Sequence, residues 1–361
     1  MRVMIAGGGT GGHLFPALAV AEAFKERDPA NQMVFVGSRR GLESSVLARE
    51  GYELKTIEAA AWKGKKLGGK LGSMMAMRRS LGQSWRLLHS FQPDLVLGFG
   101  GYASGPVVLM AWASGYKTAI HEQNAFPGLS NRILGKVVDR VFLSFESSAR
   151  HFPQSKTVLT GNPVRKRIRQ ERLAPAQRAE EKFTLFIFGG SQGAHHINQA
   201  MGESLAHLGD LKSRMRIIHQ TGDRDYDEVR QAYEREGVEA EVQRFIQDMD
   251  RAYGAADLVL CRAGATTLFE LMALGKPAIL VPYPYAANDH QTLNAKTLVE
   301  AGAALMVADG DLNGLNLSRT LRQLREDREK LKKIGERAVS LAQPRAAEKI
   351  VDLCYEMVRD E

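Results

Sequence analysis

A strand that runs into a glycine-rich turn and then a helix occurs twice in this chain, and no other feature constrains the fold as much. Val3-Met4-Ile5-Ala6 leads into Gly7-Gly8-Gly9-Thr10-Gly11-Gly12, and Leu185-Phe186-Ile187-Phe188 leads into Gly189-Gly190-Ser191-Gln192-Gly193. Glycines there let the backbone turn sharply and present N–H groups to an anion at the positive end of the following helix. Strand-length apolar runs alternate with helical periodicity after each device. They fall at Met33–Val36, Leu95–Leu97, Thr118–Ile120 and Val141–Leu143, then again at Arg216–His219, Leu258–Leu260 and Ala278–Val281. The clearest helix is Leu14–Phe24, with Pro16 in its first turn. This alternation predicts an α/β chain with two parallel sheets, each covered by helices on both faces. A length of 361 residues accommodates two such domains. Gly161-Asn162-Pro163-Val164-Arg165 and the charged run Lys166 to Lys182 read as the linker between them.

Gly7, Gly9 and Gly12 match the G-x-G-x-x-G spacing of dinucleotide folds. Such a fold wants an acid at the end of the second strand, and this chain has Gly37-Ser38-Arg39-Arg40, which suits only a 2′-phosphate. An NADP-dependent oxidoreductase is therefore one reading, and a tight turn without a ligand is another. A third glycine turn, Gly98-Phe99-Gly100-Gly101-Tyr102, adds weight elsewhere. Redox chemistry needs one diphosphate cradle, whereas cradles in both domains favour two phosphorylated ligands and group transfer. His13 closes the first turn at a helix start, where the dipole favours a neutral imidazole able to accept a proton. His121-Glu122-Gln123-Asn124 follows another strand.

Further along, Cys261-Arg262-Ala263-Gly264-Ala265-Thr266-Thr267-Leu268-Phe269-Glu270 places small residues at a helix start. Glu270 is placed to accept both hydroxyls of a ribose, or else it is a solvated helix acid. Pro282-Tyr283-Pro284-Tyr285-Ala286-Ala287-Asn288-Asp289-His290-Gln291 is a polar loop at a strand's carboxyl edge, suited to sugar hydroxyls. Zinc and P-loop motifs are absent, and the chemistry is expected to need no metal or other cofactor.

The net charge of +8 is uneven. Residues 1–162 carry 20 Lys+Arg against 11 Asp+Glu, while the remainder carries 29 against 30. Residues 59–93 hold no acid, and contain Lys63, Lys65, Lys66, Lys70, Arg78, Arg79 and Arg86. Met74, Met77, Leu81, Trp85 and Leu88 recur there at helical spacing, which reads either as a basic amphipathic helix for an anionic membrane surface or as a stripe packed on its own domain. Few interleaved aromatics and a nearly neutral second half argue against a nucleic-acid partner. The uncharged stretch Leu95 to Tyr116 is broken by glycines and Pro106, and is expected to be strand, turn and helix rather than a membrane span. The start is too glycine-rich for a signal peptide. Two cysteines, Cys261 and Cys354, are too few for a disulfide framework and suit a reducing compartment.

Six motifs in order, Gly8 to His13, Gly98 to Tyr102, His121 to Asn124, Gly161 to Arg165, Gly189 to Gly193 and Asp289 to Gln291, closely resemble the MurG family of peptidoglycan N-acetylglucosaminyltransferases. The resemblance implies a GT-B fold, two Rossmann-like domains facing across a cleft. An acceptor domain would span 1–163, with a helix in 342–361 crossing back to it, and a donor domain 164–341. It implies inverting transfer from UDP-N-acetylglucosamine to undecaprenyl-pyrophosphoryl-N-acetylmuramoyl-pentapeptide (lipid I), giving lipid II at the cytoplasmic membrane face. By motif, Ser191 would hold the diphosphate and Ile246 would meet uracil through its backbone. Glu270 would bind ribose, with Ala265, Thr266, Thr267, Leu268 and Phe269 before it on the donor. Gln291 would bind the transferred sugar, and Arg165 and Asn124 would close over the donor. Thr10, Gly11 and Gly12 would line the acceptor side, and His13 is the candidate base. His290 stands where some family members have a second amide. The remaining rival is a membrane-bound UDP-sugar sensor without turnover.

Overall fold

The structure, a computed structural model, describes residues 1–38, 43–58, 68–171 and 182–359, with the backbone alone for 68–74 and 171. Arg39, Arg40, Trp62, Lys63, Lys65 and Lys66 lie outside the described residues, and nothing of the side chains of Lys70 and Met74 is described. The chain divides into two compact units, Met1–Arg165 with Gln343–Glu361, and Lys166–Ala342.

Seven parallel strands form the sheet of the first unit: β1 Arg2–Ala6, β2 Gln32–Ser38, β3 Glu53–Ile57, β4 Leu95–Gly98, β5 Lys117–Glu122, β6 Arg140–Leu143 and β7 Thr157–Leu159. Their spatial order is 3-2-1-4-5-6-7, so the order reverses between β1 and β4. Alternation along β1 feeds two cores. Val3 and Ile5 join a cluster with Leu97 and Phe24, and Met4 and Ala6 join another with Val96 and Val107. The covering helices are α1 Gly11–Arg27, α2 Glu43–Arg49, α3 Gly68–Phe91, α4 Ser104–Ala113 and α5 Leu129–Leu134. Helix α1 begins at the glycines, three residues before the expected start, so Pro16 sits in the second turn and cannot donate to the Gly12 carbonyl. The uncharged stretch is β4, a glycine turn and α4, and no described helix is long and apolar enough to cross a membrane.

The second unit repeats the plan with six parallel strands: β8 Phe183–Phe188, β9 Met215–Gln220, β10 Ala240–Gln243, β11 Leu258–Cys261, β12 Ala278–Leu280 and β13 Leu305–Met306. Here the order runs 10-9-8-11-12-13, with the reversal between β8 and β11. Its helices are α6 Lys166–Glu171, α7 His195–Ser204, α8 Tyr226–Arg235, α9 Met249–Ala255, α10 Ala265–Leu274, α11 His290–Glu300, α12 Gly314–Glu326 and α13 Arg328–Ser340. The expected linker is thus partly a helix, since α6 packs on α9 and α10 and its Arg167 pairs with Asp248 and Asp250 at 3.4 and 3.2 Å. Helix α14, Ala346–Arg359, belongs to the first unit, burying Ile350, Val351 and Cys354 in the core that holds Leu14, Leu18 and Phe24 of α1.

Candidate functional site

Parallel sheets place their ligand-binding loops beyond the carboxyl ends of the strands where the strand order reverses. In the first unit that point lies between β1 and β4, and two glycine turns meet there. A Cβ on Gly101 (φ 80°) would lie 2.3 Å from the Gly8 carbonyl oxygen, so only glycine permits the approach. One on Gly100 would lie 2.9 Å from Cε1 of His13, which sets the imidazole against the second turn. His13 is the third residue of α1, with Thr10 as its N-cap and Gly11 and Gly12 as its first helical residues.

Sequence reasoning missed Glu43. Its side chain is buried at the start of α2 and its carboxylate accepts the Gly9 N–H, so the chain supplies its own anion to the first turn. The other carboxylate oxygen, Oε2, is buried with no hydrogen-bond partner among the described residues.

After β5, a buried Glu122 carboxylate organises the loop that carries Asn124. It accepts the backbone N–H and the amide of Asn124, at 3.0 and 3.2 Å, the Gly128 N–H at 3.1 Å and the Asn131 amide at 2.9 Å. Burial raises its pKa against those donors, which pull it down. His121 is buried with Nε2 3.0 Å from the Gly161 carbonyl, and burial pushes its pKa down to about 4. Gln123 lies between this ring and His13, with Nε2 3.1 Å from His121 Nδ1 and Oε1 3.3 Å from His13 Nδ1. Arg165 stacks its guanidinium 4.1 Å from the Phe15 ring centroid, which fixes that cation beside α1.

At the corresponding point of the second unit, the turn after β8 depends on glycine as strictly. A Cβ on Gly193 (φ 75°) would lie 1.9 Å from the Thr221 carbonyl oxygen. Ser191 is in this turn, ahead of α7. Gln220, the last residue of β9, ties two predicted contacts together. Its Nε2 donates to the Gly190 carbonyl at 2.8 Å, and its Oε1 accepts the Ile246 N–H at 2.7 Å. The Ile246 N–H is therefore engaged within the protein, so a backbone contact to a base at 246 falls to the carbonyl.

Ala265, Thr266 and Thr267 form the first turn of α10, after the Gly264 N-cap. Leu268 and Phe269 are buried, so their side chains serve the core and only backbone groups there can reach a ligand. Glu270 is buried too, which removes the solvated-acid alternative. Its Oε2 accepts a 2.9 Å hydrogen bond from Tyr253, whose ring is fixed edge-on against Phe186 and Phe188. Gln291 lies in the first turn of α11 and accepts the Tyr283 N–H at 2.9 Å, leaving its amide nitrogen as the donor. Asn288 and Asp289 before it both adopt left-handed φ, 54° and 52°, a strain of about 1–3 kcal/mol each that folds keep where loops bind ligands. Among the described residues no group of three His, Cys, Asp or Glu could hold a metal ion.

Of the residues missed, Gln123 and Gln220 had a faint signal as amides at the ends of strands beside turn residues. Tyr253 had none, since an aromatic on a short helix reads as core, and Glu43 reads as an ordinary first-turn acid.

Two family models match the chain. One, described as the glycosyltransferase family 28 N-terminal domain, covers residues 3–143, and the family 28 C-terminal domain covers 184–350. A curated protein from Anaeromyxobacter dehalogenans is 48% identical over 99% of this chain and 94% of its own length. Another, from Geobacter sulfurreducens, is 47% identical over the full length of both. Both are named UDP-N-acetylglucosamine–N-acetylmuramyl-(pentapeptide) pyrophosphoryl-undecaprenol N-acetylglucosamine transferase. The crystal structure of Acinetobacter baumannii MurG superposes with a TM-score of 0.78 at 32% identity, covering 98% of this chain and 99% of that one.

Proposed function

This chain belongs to the MurG family within glycosyltransferase family 28, and from that premise we propose that it transfers N-acetylglucosamine from UDP-N-acetylglucosamine to the C4 hydroxyl of the muramoyl sugar of lipid I, giving lipid II and UDP. The observation that carries this reading is the carboxyl edge of the second sheet, where Gln220 ties the Gly189–Gly193 turn to Ile246 and Tyr253 holds a buried Glu270. Diphosphate, base and ribose each find a chemically matched group there.

In the inverting step the C4 oxygen attacks the anomeric carbon, the bond from that carbon to the β-phosphate oxygen breaks with its electron pair, and UDP departs. Negative charge grows on the leaving diphosphate. N–H donors of the Ser191 turn at the start of α7 and the Arg165 cation are the groups suited to stabilise it. His13 takes the hydroxyl proton as general base, worth ~10²–10⁴-fold. Thr10, Gly11 and Gly12 bind beside it, Asn124 and Arg165 contact the donor from the first unit, and Gln291 donates to the transferred sugar.

The acceptor is a polyprenyl lipid, which calls for work at the cytoplasmic face of a membrane. Met75 and Trp85 on α3, Leu109 and Trp112 on α4, and Leu129 and Ile133 on α5 are exposed, and these helices pack side by side. The sequence stripe on α3 divides: Leu88 is buried in the core while Trp85 points outward and stacks on His89. Exposed Arg78, Arg79 and Arg86 share α3, the combination expected of a peripheral contact with anionic lipid.

The test is transfer of labelled N-acetylglucosamine from its UDP donor to a lipid I analogue by the purified chain, alongside thermal shifts with UDP-N-acetylglucosamine and NADPH. Donor near 100 times its dissociation constant adds about 2.7 kcal/mol of apparent stability. Stabilisation by NADPH alone, or donor binding without product, sinks the proposal.

A further inference from the structure

An imidazole acts as a base only through the ring nitrogen that lacks a proton, so the usefulness of His13 depends on which nitrogen that is. The hydrogen bonds behind it decide the matter, beginning from a group that only accepts. The Gly161 carbonyl lies 3.0 Å from His121 Nε2, so that nitrogen carries the proton. With His121 neutral in its buried position, Nδ1 is then an acceptor, and the Gln123 atom 3.1 Å away is the amide nitrogen. The Phe99 carbonyl, 3.0 Å from the same nitrogen, independently demands a donor there. Both amide hydrogens are thereby used, and Gln123 Oε1 faces His13 Nδ1 at 3.3 Å. An amide oxygen cannot donate, so Nδ1 of His13 carries the proton and Nε2 carries the lone pair. The Gln123 and His121 side chains are each only 2% exposed, which holds the amide in this orientation.

We propose that Gln123, oriented by His121 and the Phe99 carbonyl, is a positioning residue that selects the His13 tautomer with its lone pair on Nε2. The proposal rests on the reading of His13 as general base. Free histidine favours the opposite tautomer, with the proton on Nε2, so without Gln123 the lone pair would turn away from a substrate hydroxyl. Gln123 and His121 are both buried, and Gln123 acts through the His13 ring that it faces. Burial, which depresses the His121 pKa, keeps the relay in one state through the neutral range.

Long-range proton–nitrogen correlation spectra of the full chain labelled with nitrogen-15 histidine read the tautomer directly, with His13 assigned by the signal lost in His13→Gln. The expected result is a protonated Nδ1 and an unprotonated Nε2 in the unaltered protein. In Gln123→Met, checked for folding by circular dichroism, the pattern moves toward the Nε2-protonated form. Its kcat falls about 10- to 100-fold, within the range set by a general base, while KM for UDP-N-acetylglucosamine stays within about twofold. A protonated Nε2 in the unaltered protein overturns the proposal without any variant, and so does an unchanged tautomer in Gln123→Met. Should His13→Gln retain full kcat, the assignment of His13 as base fails, while the spectra still decide what sets its tautomer.

Discussion

Acidification from pH 7 to pH 5 is expected to cost the second unit about 2 kcal/mol through one buried side chain, His219. Its Nε2–H donates to Asn198 Oδ1 at 3.0 Å and its Nδ1 accepts the Tyr233 hydroxyl at 2.8 Å. The Asn198 amide is itself committed to the Thr221 carbonyl and Asp225, so its oxygen faces the ring. The neutral imidazole thus satisfies both ring nitrogens within the protein. Burial pushes its pKa from 6.5 down to about 3, against the attraction of Asp225. The unfolded chain takes up this proton near pH 6.5 and the native chain only near pH 3. Stability from this group is therefore complete above pH 6.5 and is lost as pH falls toward 3. Within that window the slope is about 1.4 kcal/mol per pH unit, which integrates to about 2 kcal/mol between pH 7 and pH 5. His219→Gln can donate to Asn198 and accept from Tyr233 but cannot titrate, so its stability should lack this component. Urea unfolding by circular dichroism reads both units, while tryptophan emission reads only the first, which holds Trp62, Trp85 and Trp112. If the circular-dichroism transitions of the original chain and His219→Gln shift equally between pH 7 and pH 5, the reasoning is wrong.

Three further outcomes are expected. Tyr253→Phe removes a hydrogen bond to a buried carboxylate, worth about 1.5–3 kcal/mol, and should raise the dissociation constant for UDP-N-acetylglucosamine about tenfold by calorimetry; an unchanged value would mean that Tyr253 does not position Glu270. Gly193→Ala puts a Cβ into the Thr221 carbonyl at positive φ, so both melting temperature and donor affinity should fall, and a normal thermal scan with normal binding would contradict the turn described. Replacing Arg78, Arg79 and Arg86 by Glu should weaken sedimentation with anionic liposomes by ~10²-fold or more, since each basic residue near such a surface contributes about 1 kcal/mol, and binding equal to the original would remove the α3 surface from membrane contact.

What the sequence concealed follows a pattern. Every interior strand was legible as an apolar run, because a strand buried on both faces has little room for polar residues. The four strands that escaped notice, β3, β7, β10 and β13, are the four sheet edges. Glu53–Ile57, for example, exposes three of its five residues and reads as loop. The glycine turns were legible for the opposite reason, since positive φ and close backbone approach leave few alternatives to glycine at Gly101 and Gly193. Partners that arrive from distant chain segments left no local trace. Gln220 joins Gly190 to Ile246, and Tyr253 reaches Glu270 from another helix, and only the folded sheet brings these together.

Helix α14 bears on the order in which the molecule is built. The α1 face carrying Leu14, Leu18 and Phe24 needs Ile350, Val351 and Cys354 to complete its core, and the whole of Lys166–Ala342 is translated in between. At ~5–20 residues per second, synthesis of the chain from Phe24 to Ile350 leaves that apolar face uncovered for roughly 15–65 s, ample time for the intervening unit to close its own sheet. The first unit to emerge is thus the second to finish. During that interval the nascent chain carries a greasy seam for which chaperones and aggregation compete.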